Sequence, residues 1–159
     1  MKKGQEVVVK DSGDKMVYRF KVNSAESVSE CPNADYEGAP KPENGHLIQL
    51  NIEEQIGDLA SSKDSYIASS EKFGSGVNQA SWSFVGENGT RANEIMTPIT
   101  YNCFKSGTET LPNSLKGKEQ ATGAMLLDLP ETTGKLTYAD SYSGEAFTWK
   151  IEDLIDPGA

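Results

Sequence analysis

The sequence is poor in the residues that most often bind metals. It contains one histidine, His46, and two cysteines, Cys31 and Cys103, which lie far apart in the chain. The common zinc sites need four such ligands at short spacings, so the composition excludes them. The acidic turn DSGDK (11–15) lacks the ligand ladder and the final glutamate of a calcium-binding EF-hand loop. We therefore predict no metal and no other cofactor.

Motifs for nucleophilic and acid–base catalysis are missing as well. There is no Gly-x-Ser-x-Gly elbow, and neither cysteine has a neighbouring base or cluster of cations that would activate it. Adjacent acids occur at Glu53-Glu54 and Glu152-Asp153. Adjacency in sequence does not set the spatial separation that a glycosidase needs, so we interpret these acids as solvated charges on strands. We predict that the protein is not an enzyme, and we assign no catalytic residue.

Long apolar runs are also absent. No stretch approaches the roughly 20 apolar residues of a membrane-spanning helix, so we predict no membrane insertion. The chain starts with MKKGQEVVVK, whose basic pair resembles the start of a signal peptide, but VVV is far shorter than the apolar region of such a peptide. Two interpretations stay open: a cytosolic protein, or an exported one whose signal has been removed.

Basic residues are in the minority. The chain has 15 Lys and Arg against 24 Asp and Glu, a formal net charge of −9. An acidic domain repels phosphate backbones, so nucleic acid and anionic membrane surfaces are not expected partners. The alternative is that the charge only keeps the protein soluble.

What the sequence does contain is a period of two. Apolar and polar residues alternate in several short segments, which is typical of strands with one face on a core and the other in water. The predicted inward residues are Tyr18, Phe20 and Val22; Ile48, Leu50 and Ile52; Trp82 and Phe84; Met125, Leu127 and Leu129; Leu136 and Tyr138; and Phe147, Trp149 and Ile151. Both tryptophans are therefore expected in the core, and His46 is expected to open a strand.

Turn signals separate these strands. Asn88-Gly89 is a hairpin candidate, because Asn-Gly is favoured where the central residues need positive φ. The segment LIQLNIEEQIGDLASS could form an amphipathic helix, but its β-branched residues and alternation favour a strand. Seven or eight short strands with polar connections predict an all-β protein, an antiparallel sandwich in preference to a barrel.

Two segments interrupt the alternation. Residues 31–45 contain three prolines and two glycines and are interpreted as an ordered loop. Residues 61–80 are polar and are expected to form an excursion at one end of the sandwich. Loops carry function more often than strands do, so these are the first candidates for a binding surface. Deletion of residues 66–76 is expected to spare folding and to abolish binding.

The two cysteines allow several interpretations. They could form a disulfide in an oxidising compartment, or be two buried free thiols, or include a reactive thiol in a cytosolic enzyme. Tyr101, two residues before Cys103, has the spacing of the tyrosine corner of immunoglobulin-like sandwiches. Trp82 lies too far beyond Cys31 to be the core tryptophan of an antibody-type domain.

Several motifs in the second half of the chain resemble a known family. They are Tyr101-x-Cys103, Leu111-Pro112 before a Lys-Gly turn, the strand from Gly123 to Pro130, Gly-Lys-Leu-x-Tyr at 134–138, and the closing Phe147-Thr-Trp149. Together with GHLIQLNIEEQIGD, they are similar to immunoglobulin-like domains of unknown function on actinobacterial secreted proteins and lipoproteins, related to the immunoprotective extracellular antigens. The similarity covers roughly residues 5–152.

The resemblance implies an immunoglobulin-like sandwich at 6–152, with tails at 1–5 and 153–159 and with Cys31 paired to Cys103. It also implies a secreted or surface-anchored protein, since such domains usually follow a signal peptide, often that of a lipoprotein. It transfers no catalytic residue. The expected function is a non-catalytic extracellular or envelope module that binds a protein or an envelope component. The alternatives are a carrier of a small ligand in a pocket at the sandwich end and, third, an enzyme with perturbed titratable groups in a cleft.

Overall fold

The computed structural model describes residues 1–28, 41–105 and 107–156. Its seven strands are β1 (Glu6–Lys10), β2 (Met16–Val28), β3 (His46–Ile56), β4 (Trp82–Gly86), β5 (Gln120–Leu129), β6 (Gly134–Ala139) and β7 (Ala146–Lys150). They form one sheet in the order β1-β2-β3-β5 and a second in the order β4-β6-β7. Every pairing within the sheets is antiparallel. The predicted all-β sandwich is confirmed.

The order of the strands differs from that of an immunoglobulin constant domain at the third strand. In an immunoglobulin constant domain the third strand crosses to the second sheet. Here β3 stays in the first sheet beside β2, and the chain crosses only at β4. The molecule is therefore a sandwich of a four-stranded sheet packed on a three-stranded one, and its order of strands differs from that of an immunoglobulin constant domain.

The predicted inward residues form the core between the sheets. Phe20 from β2 packs edge-on to Tyr138 from β6, with ring centroids 4.9 Å apart. Trp82 and Trp149 join the same aromatic cluster, 5.7 Å from each other, and both are buried. Large rings buried in edge-to-face contact are a major stabilising element of such a core. The prediction that both tryptophans belong to the core is confirmed.

The Asn88-Gly89 turn is confirmed, but its geometry differs from the expected one. The N–H of Gly89 donates to the carbonyl of Gly86 at 2.9 Å, and Arg91 then pairs with Val85. Gly89 has φ of +84°, whereas Asn88 is not among the residues with positive φ. This is a type I turn followed by a left-handed glycine, which also joins antiparallel strands.

The excursion at 61–80 lies where β2 begins and β3 ends. It contains the helix α1 (Ser65–Ser69) and short 3₁₀ turns before and after it. Ile67 and Val77 are buried in the main core. Deleting 66–76 would remove Ile67 from the core, so we now expect this deletion to destabilise the fold, and single substitutions are the appropriate test.

A second, smaller apolar cluster lies on the outer face of the four-stranded sheet. It contains Leu47, Ile99, Cys103 and Leu126. Tyr101 in the same segment is 62% exposed, so its spacing from Cys103 does not mark a buried tyrosine corner. Cys31 lies outside the described residues, and the Cys31–Cys103 disulfide stays a prediction.

Residues at both ends of the chain contact the sandwich. The Met1 amino group donates to the Thr148 carbonyl at 2.7 Å, and the Asp156 N–H donates to the Ala25 carbonyl at 3.0 Å. Leu154, in the short helix α2 (Ile151–Leu154), is fully buried. The division into tails at 1–5 and 153–159 around a domain at 6–152 stays a prediction. Among the described residues, no helix is long and apolar enough to cross a membrane.

Candidate binding site

A polar network lies at the end of the sandwich where the excursion packs. The buried Tyr18 hydroxyl donates to Asp140 Oδ1 at 2.6 Å and lies 2.8 Å from the Tyr138 hydroxyl. Since Tyr18 has one proton to donate, the Tyr138 hydroxyl is the donor to Tyr18, and it accepts in turn from the Asn78 N–H at 3.2 Å. Burial raises the pKa of both phenols, so they remain protonated at any physiological pH.

Asp140 ends this network and also fixes the turn between β6 and β7. Its Oδ2 accepts from the N–H groups of Tyr142 and Ser143, at 3.1 and 2.7 Å, and from the Ser143 hydroxyl at 2.9 Å. With the Tyr18 bond, the carboxylate accepts four hydrogen bonds while only 3% exposed. These four bonds occupy most of the carboxylate's lone pairs and leave little acceptor capacity for a ligand.

Glu54 is a second buried carboxyl group at this end. It is 2% exposed, and its Oε2 accepts from the Val77 N–H at 2.8 Å. Burial raises the pKa of Glu54 to about 7, against the opposing effect of the Val77 hydrogen bond. Gly76 has φ of +117°, and a Cβ there would come within 2.7 Å of Glu54 Oε2. The carboxyl group therefore holds residues 74–78 in place, and the interpretation of Glu54 as a solvated charge is wrong.

Residues 74–78 form one wall of a cavity of about 200 Å³, which we call the sandwich-end pocket. Its other walls are residues 113–114, the turn at 140–142, and the phenols of Tyr18 and Tyr138. Ser75 and Leu115 exchange two backbone hydrogen bonds, at 2.7 and 3.0 Å, which join two of the walls. Segments that are distant in the sequence thus meet around one polar pocket.

Three exposed aromatic side chains lie on or beside the segments that form this pocket. Tyr66 is 70% exposed, Phe73 is 81% exposed and Tyr142 is 37% exposed. The rings of Tyr66 and Tyr142 lie 5.2 Å apart, Tyr142 lines the pocket, and Phe73 directly precedes its wall. We call these three residues the aromatic rim. Large apolar side chains grouped at a surface commonly mark a binding site.

A second concavity, of about 310 Å³, lies along the four-stranded sheet. Its charged lining includes Glu6, Arg19, Lys21 and Glu53. Arg19 lies 3.8 Å from Glu6 and donates to Gln55 Oε1 at 3.0 Å. Arg19 is thus paired with its neighbours, and none of the four exposed large hydrophobic residues of the described chain lies in this concavity. The sandwich-end pocket is therefore the stronger candidate.

The structure brings together few of the residues that the sequence alone singled out. His46 opens β3 as expected, exposed to solvent, and Glu53 is exposed on the outer face of the sheet. Cys103 lies in the small outer cluster. The described residues 1–28, 41–105 and 107–156 contain no group of three or more side chains placed to hold a metal ion. The residues that build the pocket, above all Glu54 and Asp140, were not predicted to form a site.

Comparisons with protein-family models, curated proteins and solved structures find no match to this chain. The site is therefore interpreted from its own geometry and chemistry.

Proposed function

We propose that this chain is a non-catalytic binding module of a secreted or surface-anchored protein, and that it binds a protein or an envelope component through its sandwich end. The aromatic rim around the polar pocket is the observation that carries this proposal. Exposed rings beside buried polar groups supply the anchors and the specificity from which binding hot spots are built. The resemblance to exported immunoglobulin-like domains supplies the compartment.

The chemistry of the pocket favours binding over catalysis. It does contain titratable groups with perturbed pKa values, which the alternative of an enzyme requires. Burial keeps the Tyr18 and Tyr138 phenols protonated, however, and four hydrogen bonds occupy Asp140. A general base needs free acceptor capacity near the operating pH, and a nucleophile needs such a base beside it. These groups form a scaffold for the pocket.

The alternative of a small-ligand carrier has one observation in its favour, the pocket itself. Its volume of about 200 Å³ lies below the roughly 300–1,000 Å³ of sites that enclose a whole ligand. The rim also extends the contact area beyond the cavity. Both features suit a group that protrudes from a larger partner, so the binding module remains the preferred function.

Sedimentation with washed actinobacterial cell envelope tests the proposal. We expect the wild-type protein to sediment with the envelope, and the double variant Tyr66→Ser/Phe73→Ser to bind about tenfold more weakly, because it loses two exposed anchors. Both residues are more than two-thirds exposed, so the fold should be unaffected. Circular dichroism and the melting temperature check this.

Tyr101→Ser is the matched control, because Tyr101 is a similarly exposed aromatic residue outside the pocket. It should bind like the wild type. Equal binding by the rim double variant and the wild type, or an equal loss in the Tyr101→Ser control, would contradict the proposal.

A further inference from the structure

We infer that the sandwich-end pocket binds a neutral sugar ring, as one residue of a larger envelope saccharide. This inference rests on the proposed function and names the class of ligand for the same site. It follows from three properties of the pocket: its unused hydrogen-bonding groups, its lack of an available charge, and its aromatic rim.

Uncharged polar groups in the pocket have unused hydrogen-bonding capacity. Asn113, Ser114 and Ser141 line the pocket and are exposed, and the hydrogen bonds of the described chain do not involve their side chains. Hydroxyl and amide groups both donate and accept. Sugar hydroxyl groups have the same dual character, so a ring bearing several of them can satisfy these groups together.

The pocket offers no free charge of either sign. None of its described lining residues is Lys or Arg, so an anionic ligand would find no cation there. Asp140 is its one carboxylate and already accepts four hydrogen bonds. Glu54 lies behind the wall, bonded to Val77. A cationic ligand would therefore lack a free counter-ion. Binding that removes water from an ion without supplying a counter-ion is strongly unfavourable.

The rim supplies the apolar half of sugar recognition. Tyr66 and Tyr142 lie 5.2 Å apart with their ring planes inclined at 59°, and both are exposed. An aromatic ring has a negative face that attracts the weakly positive C–H groups of a pyranose. A sugar would stack on the rim while its hydroxyl groups reach Asn113, Ser114 and Ser141.

Chemical-shift titration of the ¹⁵N-labelled protein tests the inference. The neutral probes are maltotriose, mannotriose, galactotriose and N,N′,N″-triacetylchitotriose. The charged probes are trigalacturonate and tetramethylammonium, each added to about 10 mM because single-ring contacts bind at millimolar strength. We expect at least one neutral trisaccharide to shift the Asn113 side-chain amide and the backbone amides of 74–78 saturably. The two charged probes should leave these signals unchanged.

Variants fix the site of binding. Asn113→Ala and Tyr66→Ala should each raise the dissociation constant, measured from the shifts of the 74–78 amides, by about tenfold. The first variant removes a hydrogen-bonding contact to the sugar and the second removes an aromatic one. Asn102→Ala, which removes an exposed amide outside the pocket, should bind the saccharide like the wild type.

The outcomes separate this inference from the proposed function. If envelope binding depends on the rim but no neutral trisaccharide causes a response, the inference of a sugar ligand is overturned and the proposed binding function is retained. A response to trigalacturonate or tetramethylammonium alone also overturns the inference, because the pocket would then select a charged ligand and not a neutral sugar ring. Saccharide shifts that map outside the pocket overturn the inference as well. Loss of both the envelope binding and the saccharide response overturns the two proposals together.

Discussion

Replacing Glu54 with Gln should remove a large part of the protein's pH dependence. In the wild type, the free energy of unfolding should fall by about 3 kcal/mol as the pH rises from 4.5 to above 7, and in Glu54→Gln this fall should be absent. Burial raises the pKa of Glu54 from 4.5 to about 7. Its cross-strand neighbours Phe20 and Ala121 are uncharged, and the Val77 N–H is its hydrogen-bond donor. The carboxyl group is therefore protonated in the folded protein at a pH where it is ionised in the unfolded chain.

The sign of the effect follows from proton binding. Below pH 4.5, both states hold the proton and Glu54 makes no pH-dependent contribution. Between pH 4.5 and about 7, the folded state holds more protons, so the stability falls as pH rises. Above that window both states are ionised, and the loss is complete and constant. Gln keeps the acceptor for Val77 and does not titrate.

Denaturant unfolding at a series of pH values measures this effect. The difference in stability between Glu54→Gln and the wild type should grow with pH across the window and then level off. Glu53→Gln is the matched control, because Glu53 is exposed on the opposite face of the same strand, and its profile should parallel that of the wild type. Parallel profiles for Glu54→Gln and the wild type would show that the carboxyl group is not held protonated.

Replacing Asp140 with Ala should lower the free energy of unfolding by about 3 kcal/mol, because it leaves buried donors without their acceptor. The Tyr18 hydroxyl is the most affected, since it lies in the core and donates to Asp140 at 2.6 Å. The N–H groups of Tyr142 and Ser143 lose the same acceptor. A loss of this size is a large part of the stability of an ordinary domain.

A double-mutant cycle with Tyr18→Phe assigns this loss to the network. Removing one partner of a buried hydrogen bond costs more than removing both. The double variant should therefore be at least about 1 kcal/mol more stable than the sum of the single effects predicts. Ser143→Ala removes an exposed donor to the same carboxylate and should cost a few tenths of a kcal/mol. Additive effects of Asp140→Ala and Tyr18→Phe would refute the coupling.

Much of the fold could be predicted because each strand has one buried face. The alternation in β2 places Tyr18, Phe20 and Val22 in the core, as the structure confirms. The alternation then ends, because a bulge between Val22 and Ser24 shifts the register, so Ala25 faces inward instead. A bulge has little local sequence signal. The prediction therefore stopped short of the true end of the strand.

The pocket could be predicted only in part. Glu54 continues the alternation of Ile48, Leu50 and Ile52, so the period of two predicts that it faces inward. A charged residue is normally expected in water, and the prediction therefore placed Glu54 on the surface. Asp140 precedes the polar turn SYSG, a sequence that favours a side chain capping the backbone. Asn113 and Ser75 had no local signal, because only the path of the chain between the sheets brings them together.

The exchange footprint of the envelope-bound protein tests most directly the claim that the sandwich end is the binding surface. Hydrogen–deuterium exchange should slow on binding at residues 66–78 and at 140–144, which form the rim and the pocket. Exchange should be unchanged at 98–104 and along the charged concavity of the four-stranded sheet. Protection of those two surfaces, with no change at 66–78 and 140–144, would contradict the account.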